Sequence, residues 1–307
     1  MSRRDWLQLT LLGAIWGASF LFIRIAAPSF GAFALVATRT LVAAFVLIGY
    51  ALITRQPFLA QIRERWVGFL VLGLLNSALP FTLITSAELT LTAQMAAILN
   101  AATPFFAALT GALWFHDPLT RKKVGGIALG LFGVVLVVGL SPIPLESAVL
   151  IAVLMMMGAS LGYGFSSNVT KVHFKHVSPI SLAIGQNFAA GMILLPLAIL
   201  NPPQAEIPTN ALFSVLALAI ISTAVAYLIS FSLIKRVSAT SMTTVTMLVP
   251  FFSVLWTALF LHTDEIGIGQ IVGLLVIVVS ITLITNTRLP FVDRLLGRRR
   301  EPEITPA

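Results

Sequence analysis

Stretches of about 20 mostly apolar residues recur ten times along the chain, each bounded by charged residues or prolines. A helix needs about this length to cross the hydrocarbon core of a bilayer. The stretches are continuous and do not alternate with a period of two, so they predict helices and not strands of a membrane β-barrel. The predicted spans are residues 7–27, 33–53, 66–86, 93–115, 124–141, 148–170, 179–200, 210–233, 239–261 and 267–286.

The composition agrees with a chain that lies mostly in lipid. Apolar residues make up 58% of the 307 residues and charged residues only 10%, whereas a soluble domain carries about 25% charged residues. So few charges cannot cover a water-facing surface, which excludes a cytosolic enzyme, a nucleic-acid-binding module and a disordered protein. The chain has no Cys, which excludes a disulfide framework, a thiolate metal site and a cysteine nucleophile.

The basic residues orient these spans. If the N-terminus is cytoplasmic, all but two of the 19 Lys and Arg residues lie in cytoplasmic segments, and the exceptions, Arg24 and Arg39, lie inside spans. Short loops rich in Lys and Arg stay in the cytoplasm. We therefore predict a multi-pass protein of the inner plasma membrane with both termini cytoplasmic. The expected partner is the lipid bilayer, with the basic tail at 298–300 near anionic lipid, and not nucleic acid.

The second half of the chain repeats the first in a weak form. Trp16-Gly17 corresponds to Tyr163-Gly164, and the same spacing of 147 positions pairs Gly126 with Gly273. The correspondence is low at single positions but extends over five predicted spans in each half. The sequence therefore predicts that both halves share one five-helix pattern.

Five spans is an odd number, so the second copy must enter the membrane from the opposite side. The loop charges agree, because the loop at 54–65 carries three basic residues and the equivalent loop at 201–209 carries none. We therefore predict an all-helical fold of two inverted repeats, residues 1–147 and 148–307, around a central cavity. Inverted repeats are typical of secondary transporters that work by alternating access, and a duplication kept only for structural symmetry, as in a channel, is the alternative.

The chain contains several short motifs: Trp16-Gly17-x-x-Phe20, Arg39 with Ala43-Ala44, Pro104, Pro250 and the segment from Phe115 to Gly126. These motifs resemble those of the drug/metabolite transporter superfamily, EamA type. The resemblance implies ten helices around a cavity formed mainly by spans 1, 3, 4, 6, 8 and 9, and transport of small metabolites, often amino acids or their derivatives and often outward. One departure is His116-Asp117, which stands where the family usually has Gly-Glu.

Three prolines lie inside predicted spans, each four residues after a polar residue. A proline within a helix leaves the carbonyl four residues earlier without its donor, and in a membrane such backbone is tolerated where it lines a cavity. Asn76, Asn100 and Thr246 are therefore candidates for a substrate cavity. The alternative is that they only bond one helix to another. The pairs are Asn76 with Pro80, Asn100 with Pro104, and Thr246 with Pro250.

Aromatic and hydroxyl side chains share helix faces in spans 1 and 8, where they are spaced three or four residues apart. Rings and hydroxyls together suit a solute with an apolar part and a polar part. The alternative is an aromatic packing core whose hydroxyls are bonded internally. The further cavity candidates are Trp16, Phe20, Tyr163, Asn168, Thr223, Tyr227 and Ser230.

Arg39 is a cation inside span 2, roughly 9 Å from its external end. An arginine at this depth either bonds helix-end carbonyls or Gln186, or attracts an anionic group of the substrate. Because the resemblance places span 2 at the periphery, we expect the first role. Arg24 lies four residues before Pro28, so we expect it to extend toward the outer surface, with guidance of carboxylates there as the alternative.

No Asp or Glu lies within a predicted span, so the sequence offers no carboxylate for proton or ion coupling. The four His lie in loops or at span ends, and no catalytic or phosphate-binding motif is present. We therefore expect no catalytic residue, no cofactor and no metal site.

The expected function is transport of a small-molecule substrate by a protein that is not an enzyme. Amino acids or related zwitterions are the expected substrates, carried by an exporter or facilitator. A channel-like conductor is one alternative. A sugar-phosphate or nucleotide-sugar carrier is another, and it would need two or more cations in its cavity. The sequence leaves both a monomer and a homodimer open.

Overall fold

The computed structural model describes residues 3–140, 146–234, 236, 239–261 and 267–285, which form helices and turns without a strand. The predicted all-helical class is confirmed. The basic tail at 298–300 and the loop acids Asp264 and Glu265 lie outside the described residues. The helices are α1 (Arg3–Ile53), α2 (Leu59–Glu64), α3 (Trp66–Gly73), α4 (Leu79–Ala87), α5 (Ala93–Asn100), α6 (Thr103–Trp114), α7 (Arg121–Gly139), α8 (Ser147–His173), α9 (Pro179–Leu200), α10 (Thr209–Ala219), α11 (Ala226–Ile234), α12 (Ala239–Phe260) and α13 (Ile268–Thr285).

Two π-helical turns interrupt this series. The first, Leu74–Ala78, joins α3 to α4, and the second, Ile220–Val225, joins α10 to α11. A π-helical turn bonds each N–H to the carbonyl five residues earlier, and it is frequent at functional sites.

Eight helical segments of the described chain are long and apolar enough to cross a bilayer. Large apolar side chains cover their outer surfaces, as Leu154 shows with 69% exposure, and such a surface is stable only against lipid. The protein is therefore a multi-pass membrane protein. The segments are Arg3–Ile53, Trp66–Ala87, Ala93–Trp114, Arg121–Gly139, Ser147–His173, Pro179–Leu200, Thr209–Ser230 and Ile268–Thr285.

These eight segments differ from the ten predicted spans in two places. The first two predicted spans lie in the single element α1, and the ninth coincides with α12, whose described apolar part, Val245–Phe260, is shorter. The predicted loop at 28–32 is a short connection in which Ser29 and Phe30 are buried, and two helices meet there at a kink.

Gly31 is the point where α1 kinks. Its backbone angles, φ 67° and ψ 167°, are non-helical, and a residue with a side chain adopts such angles only with strain. Two carbonyls just before the kink accept hydrogen bonds from Gln204. The backbone N–H of Gln204 donates to Ser29 at 2.9 Å, and its side-chain amide donates to Pro28 at 3.1 Å. The kink is thereby tied to the connection between α9 and α10.

Two glycines allow helices of one half to approach helices of the other half. A Cβ atom on Gly17 of α1 would lie 2.8 Å from the backbone oxygen of Val249 in α12. A Cβ atom on Gly164 of α8 would lie 2.5 Å from the backbone nitrogen of Ala107 in α6. Small residues at such positions let membrane helices pack backbone to backbone. The contacts α1 with α12 and α8 with α6 therefore depend on these two glycines.

A second set of glycines joins α7 to α13. A Cβ atom on Gly126 of α7 would lie 2.6 Å from Cγ1 of Ile284, and one on Gly273 of α13 would lie 2.4 Å from Cγ2 of Val137. The facing residues advance along α7 while they go backward along α13, so the two helices are antiparallel. Ser280 adds a hydrogen bond from its hydroxyl to the Gly126 carbonyl at 2.8 Å.

Candidate functional site

A cavity of about 310 Å³ lies among helices of both halves of the chain. Its wall is mostly apolar and aromatic, with a few polar groups, which is the usual make-up of a site for a small molecule. Helix α1 contributes residues from both sides of its kink. The lining residues are Trp16, Ser19, Phe20, Ile23, Arg39, Asn76, Phe81, Ile84, Ala97, Asn100, Ala101, Thr103, Tyr163, Ser222, Thr223, Tyr227, Thr246 and Val249.

Eight of the ten cavity candidates from the sequence line this cavity. The structure thus brings them together, while their binding of a substrate stays a prediction. The lining comes from all six spans that the family resemblance implies, and Arg39 adds a contribution from span 2. The eight residues are Trp16, Phe20, Asn76, Asn100, Tyr163, Thr223, Tyr227 and Thr246.

Asn168 and Ser230 are not among the lining residues. The side-chain amide of Asn168 donates to the Ala107 carbonyl at 2.9 Å and to the Thr110 hydroxyl at 3.0 Å. It therefore connects α8 to α6, because its position on α8 turns it toward the glycine contact at Gly164. Ser230 is also buried, with 6% exposure. The structure therefore does not bring these two residues together with the other eight candidates.

The helical backbone just before Pro80 is locally widened, as predicted. The first π-helical turn, Leu74–Ala78, lies just before it and contains Asn76. A proline has no N–H to donate, so the preceding turn widens, and Asn76 lies on the cavity wall. Pro80 itself does not line the cavity.

Pro104 marks a second break, between α5 and α6. Helix α5 ends at Asn100 and α6 begins at Thr103, and the Thr103 hydroxyl donates to the Asn100 carbonyl at 2.8 Å. Pro104 has no N–H to donate to the Asn100 carbonyl, and the Thr103 hydroxyl donates to that carbonyl instead. Asn100 lies on the cavity wall, and the oxygen of its side-chain amide is buried without a hydrogen-bond partner among the described residues.

Pro250 does not break its helix. Helix α12 is continuous from Ala239 to Phe260 with the proline inside it. The predicted opening of the backbone at this position is therefore wrong, although Thr246 does line the cavity. Packing of α12 on Gly17 of α1 holds the helix in place on both sides of the proline.

The second π-helical turn, Ile220–Val225, was missed by the sequence analysis because no proline accompanies it. The Thr223 hydroxyl donates to the Leu218 carbonyl, five residues earlier, at 2.8 Å, and side-chain bonds of this kind compete with the helical pattern. The available signal was the repeat itself. Asn76 lies in the first π-helical turn, and Thr223 is its equivalent 147 positions later.

Arg39 is buried, with 4% exposure, on the wall of the cavity. Its Nε donates to the Thr223 hydroxyl at 2.9 Å, and its guanidinium carbon lies 3.9 Å from the centre of the Phe81 ring. A cation over an aromatic face is attracted by the ring electrons. Gln186 is not its partner, so the predicted pairing is wrong. The premise that span 2 lies away from the cavity is also wrong at this residue.

Asn76 links three helices beside the cavity. Its side-chain amide donates to Gln186 Oε1 in α9 at 2.9 Å, and its oxygen accepts the Ser166 hydroxyl of α8 at 2.8 Å. The hydroxyl of Tyr227 lies close to the side chains of Asn76 and Asn187. Both predicted roles of Asn76 therefore coexist, since it lines the cavity and bonds helix to helix.

Phe81 is a cavity residue that the sequence analysis missed. Its ring contacts the Arg39 guanidinium on one side and lies 6.3 Å from the Tyr163 ring in an edge-on arrangement. It follows directly after Pro80, at the end of the opened backbone, which was the only available signal. Ser19, one residue before Phe20, also lines the cavity. It was missed because single hydroxyls are common in membrane helices.

Arg24 also differs from expectation, and it lies beside a buried carboxylate. Arg24 donates to the Glu88 carbonyl at 2.6 Å, so it bonds the C-terminal end of α4 and does not extend freely outward. Glu88 directly follows α4 and is only 1% exposed. Its side chain is therefore buried at the end of a helix.

Other charged side chains form pairs outside the cavity. Lys171 Nζ lies 3.1 Å from Asp117 Oδ2, and Arg236 Nε lies 3.3 Å from Asp5 Oδ1. Among the described residues, no group of three or more His, Asp or Glu side chains is placed to hold a metal ion.

One solved crystal structure has the same fold. It superimposes on this chain with a TM-score of 0.62 and covers 96% of this chain and 99% of its own, at 18% sequence identity. At this identity the likeness concerns the fold alone.

Curated relatives cover nearly the whole chain at low identity. YoaV of Bacillus subtilis (strain 168), an uncharacterized transporter, is 22% identical over 275 residues, which cover 89% of this chain and 94% of YoaV. A protein of Escherichia coli (strain K12) named as a probable amino-acid metabolite efflux pump is 24% identical over 292 residues, covering 92% of this chain and 94% of the pump. PecM of Dickeya dadantii (strain 3937) is 27% identical over 222 residues, covering 71% of this chain and 73% of PecM.

The family comparison matches the chain twice. The model of the EamA-like transporter family matches residues 6–139 and again residues 150–286. The two matches together leave only the ends of the chain and a short central segment uncovered. The protein therefore belongs to the EamA-like transporter family.

Proposed function

We propose that this protein is a secondary transporter that carries a small metabolite by alternating access and is not an enzyme. The observation that carries the proposal is a cavity of aromatic and polar side chains enclosed by membrane helices of both halves in a chain of a transporter family. The substrates are amino acids or related zwitterions, and the protein acts as an exporter or facilitator. The relative named as an amino-acid metabolite efflux pump supports this class of substrate.

The topology we propose has ten transmembrane helices. Helix α1 has 51 residues, which is about 76 Å of helix and more than twice the thickness of the hydrocarbon core. The kink at Gly31 divides it into two helices that each cross once, and α12, with 22 residues, crosses as well. The protein then lies in the inner plasma membrane with both termini in the cytoplasm.

Helices α7 and α13 support an inverted arrangement of the two repeats, residues 1–147 and 148–307. In the repeat, Gly126 is equivalent to Gly273, and Val137 is equivalent to Ile284. The two contacts described above, Gly126 with Ile284 and Gly273 with Val137, are therefore the same contact made twice. Equivalent helices that exchange contacts in this way while antiparallel are related by a twofold axis in the membrane plane.

Two hydrogen bonds beside the cavity support the same symmetry. Arg39 of α1 bonds Thr223 in the second π-helical turn at 2.9 Å. Their repeat equivalents, Gln186 of α9 and Asn76 in the first π-helical turn, are bonded to each other, also at 2.9 Å. In the proposed symmetry the two hydrogen-bonded pairs lie on opposite sides of the axis. Only the pair that contains Arg39 carries a charge.

In the proposed topology the cavity reaches toward the external ends of three helices, and ion pairs join helices at the cytoplasmic side. Ile23, Ile84 and Ala97 line the cavity near the external ends of their helices. The ion pairs Asp5 with Arg236 and Asp117 with Lys171 lie at cytoplasmic ends. A carrier of this kind reaches its other state when one half rocks against the other and these pairs separate.

Reporter fusions test the topology. Because the loops after residues 60 and 205 are equivalent in the repeat, we expect reporters placed there to lie on opposite sides of the membrane, with residue 60 inside. Alkaline phosphatase and green fluorescent protein fusions give the readout, since each is active on one side only. Reporters found on the same side would contradict the inverted repeat.

Flux into proteoliposomes tests the mechanism. For a facilitator we expect amino-acid uptake that saturates, accelerates when the same solute is present on the other side, and proceeds without a pH gradient. A channel-like conductor would instead give uptake that does not saturate and single-channel currents. Uptake that requires a gradient would contradict the uncoupled mechanism, and Glu88→Gln would then be the first variant to examine, because that carboxylate is buried.

The alternative of a sugar-phosphate or nucleotide-sugar carrier is less well supported. Such substrates carry two or more negative charges, and Arg39 is the one Lys or Arg among the described residues that lines the cavity. Arg24, the other cation inside a predicted span, bonds backbone at the end of α4.

A further inference from the structure

We propose that Arg39 binds the carboxylate of the transported solute and that Asn100 accepts a hydrogen bond from its ammonium group. The solute is then an α-amino acid with an apolar side chain. This inference rests on the proposed transport function and names the residues that determine the class of substrate.

The guanidinium of Arg39 has donors left for a ligand. Nε bonds Thr223, and no hydrogen bond joins either terminal nitrogen to a residue that the structure describes. These terminal nitrogens belong to a residue that lines the cavity. A guanidinium offers five N–H donors in a flat fork, and two parallel bonds to a carboxylate use this geometry fully.

The charge of Arg39 has no direct ion pair. No Asp or Glu in the described part of the chain lies within 4.0 Å of its guanidinium, since the ion pairs found there involve other residues. The buried carboxylate of Glu88 acts on the charge from farther away, and the Phe81 ring compensates it in part. A buried charge without a direct ion pair is costly, and a bound carboxylate would supply that ion pair.

Asn100 provides the complementary acceptor. The oxygen of its side-chain amide is buried without a hydrogen-bond partner among the described residues, and the residue lines the same cavity from the end of α5. An amide oxygen left unbonded in a buried site costs free energy, and rotation of the Asn100 side chain would bring this oxygen to a donor on a solute in the cavity. An ammonium group is such a donor.

The rest of the wall fits an apolar side chain. Trp16, Phe20, Phe81 and Tyr163 contribute rings, and Ile23, Ile84 and Val249 contribute aliphatic groups. A second positively charged side chain is absent from the lining that the structure describes, so a solute with a further negative charge would enter unpaired. The chemistry of the wall therefore favours zwitterions with one carboxylate.

Matched solutes test both contacts in the unmodified protein. Radiolabelled leucine, methionine and phenylalanine are bound to the purified full-length chain. Each is displaced by its amide, which lacks the carboxylate, and by its deamino acid, which lacks the ammonium. For leucine these competitors are leucinamide and 4-methylpentanoate. We expect each competitor to bind about tenfold to a hundredfold more weakly than the amino acid, as befits the loss of a hydrogen bond to a charged group.

Variants then assign the contacts. Arg39→Gln should abolish the preference for the amino acid over its amide, and Asn100→Leu should abolish the preference over the deamino acid. Arg39→Lys keeps the charge without the flat fork, so it should bind the amino acid at least about tenfold more weakly and the amide as before. Gln94→Leu is the matched control, because it breaks a buried side-chain pair, Gln94 with Thr257, of which neither residue lines the cavity, and it should leave both preferences unchanged.

Either of two results would overturn the inference. One is that the unmodified protein binds all three classes of solute equally or binds none of the amino acids. The other is that the Arg39 variants keep the preference for the carboxylate. The flux assay distinguishes a failure of this inference from a failure of the transport proposal. If amino-acid flux saturates but Arg39→Lys keeps the preference for the amino acid over its amide, only the role of Arg39 is refuted. Saturable binding without flux refutes only transport.

Discussion

Replacement of Gly164 by leucine is expected to abolish the folded protein. Even the first added atom, Cβ, would lie 2.5 Å from the backbone nitrogen of Ala107 and 2.7 Å from the backbone carbon of Phe106. Backbone cannot move aside as a flexible side chain can, so α6 would have to separate from α8. Overpacking typically costs about 1–3 kcal/mol and more when backbone must shift. The separation would also break the bond from Asn168 to the Ala107 carbonyl.

The measurement is size-exclusion chromatography and thermal unfolding in detergent. We expect Gly164→Leu to give no monodisperse peak. Gly125→Leu is the control with the same chemical change, because a Cβ atom at Gly125 meets nothing within 4 Å, and leucine is a better helix former than glycine by about 1 kcal/mol or less. A normal elution profile for Gly164→Leu would show that α6 and α8 are not packed as described.

The three tyrosines of the chain give the second prediction with a large effect. Tyr163 and Tyr227 line the cavity, whereas Tyr50 lies on the outer surface with 38% exposure. Removal of a cavity ring takes away a large contact area for the solute. We therefore expect Tyr163→Ala and Tyr227→Ala to lower amino-acid flux at low solute concentration at least about tenfold, equivalent to about 1.4 kcal/mol of binding.

Flux is measured in proteoliposomes that contain equal amounts of protein, and yield and melting temperature are recorded for each variant. Tyr50→Ala should transport as the unmodified protein does. Tyr227→Phe keeps the ring and removes only the hydroxyl, so its flux should fall less than that of Tyr227→Ala. Equal flux in the Tyr50 and Tyr227 alanine variants would argue against this cavity as the substrate pathway.

Features that depend on local composition could be predicted from the sequence. Hydropathy predicted the helices, and the pairing of Asn100 with Pro104 predicted a break that the structure contains between α5 and α6. Asn76 was identified in the same way, because a proline has a fixed effect on the carbonyl four residues earlier. The corresponding reasoning did not give a break at Pro250, where α12 is continuous and packs on Gly17 of α1.

Features that depend on contacts between distant segments could not be predicted. The partner of Arg39 is 184 positions away, and nothing in the neighbourhood of either residue specifies it. Asn168 was placed on the wrong side of α8 because the glycine contact at Gly164 sets how that helix is turned. Gly31 shows the same limit, since hydropathy separates two spans without revealing that Gln204, far along the chain, bonds the carbonyls just before the kink.

The contacts at Gly17 and Gly164 have a consequence for how such a protein can be divided. Each joins a helix of one half to a helix of the other, so neither half alone can complete its own packing. A gene cut between the halves would yield two fragments that must be synthesised together to assemble. Under the proposed inverted topology, a single half could build the same architecture only as a pair of copies inserted into the membrane with opposite orientations.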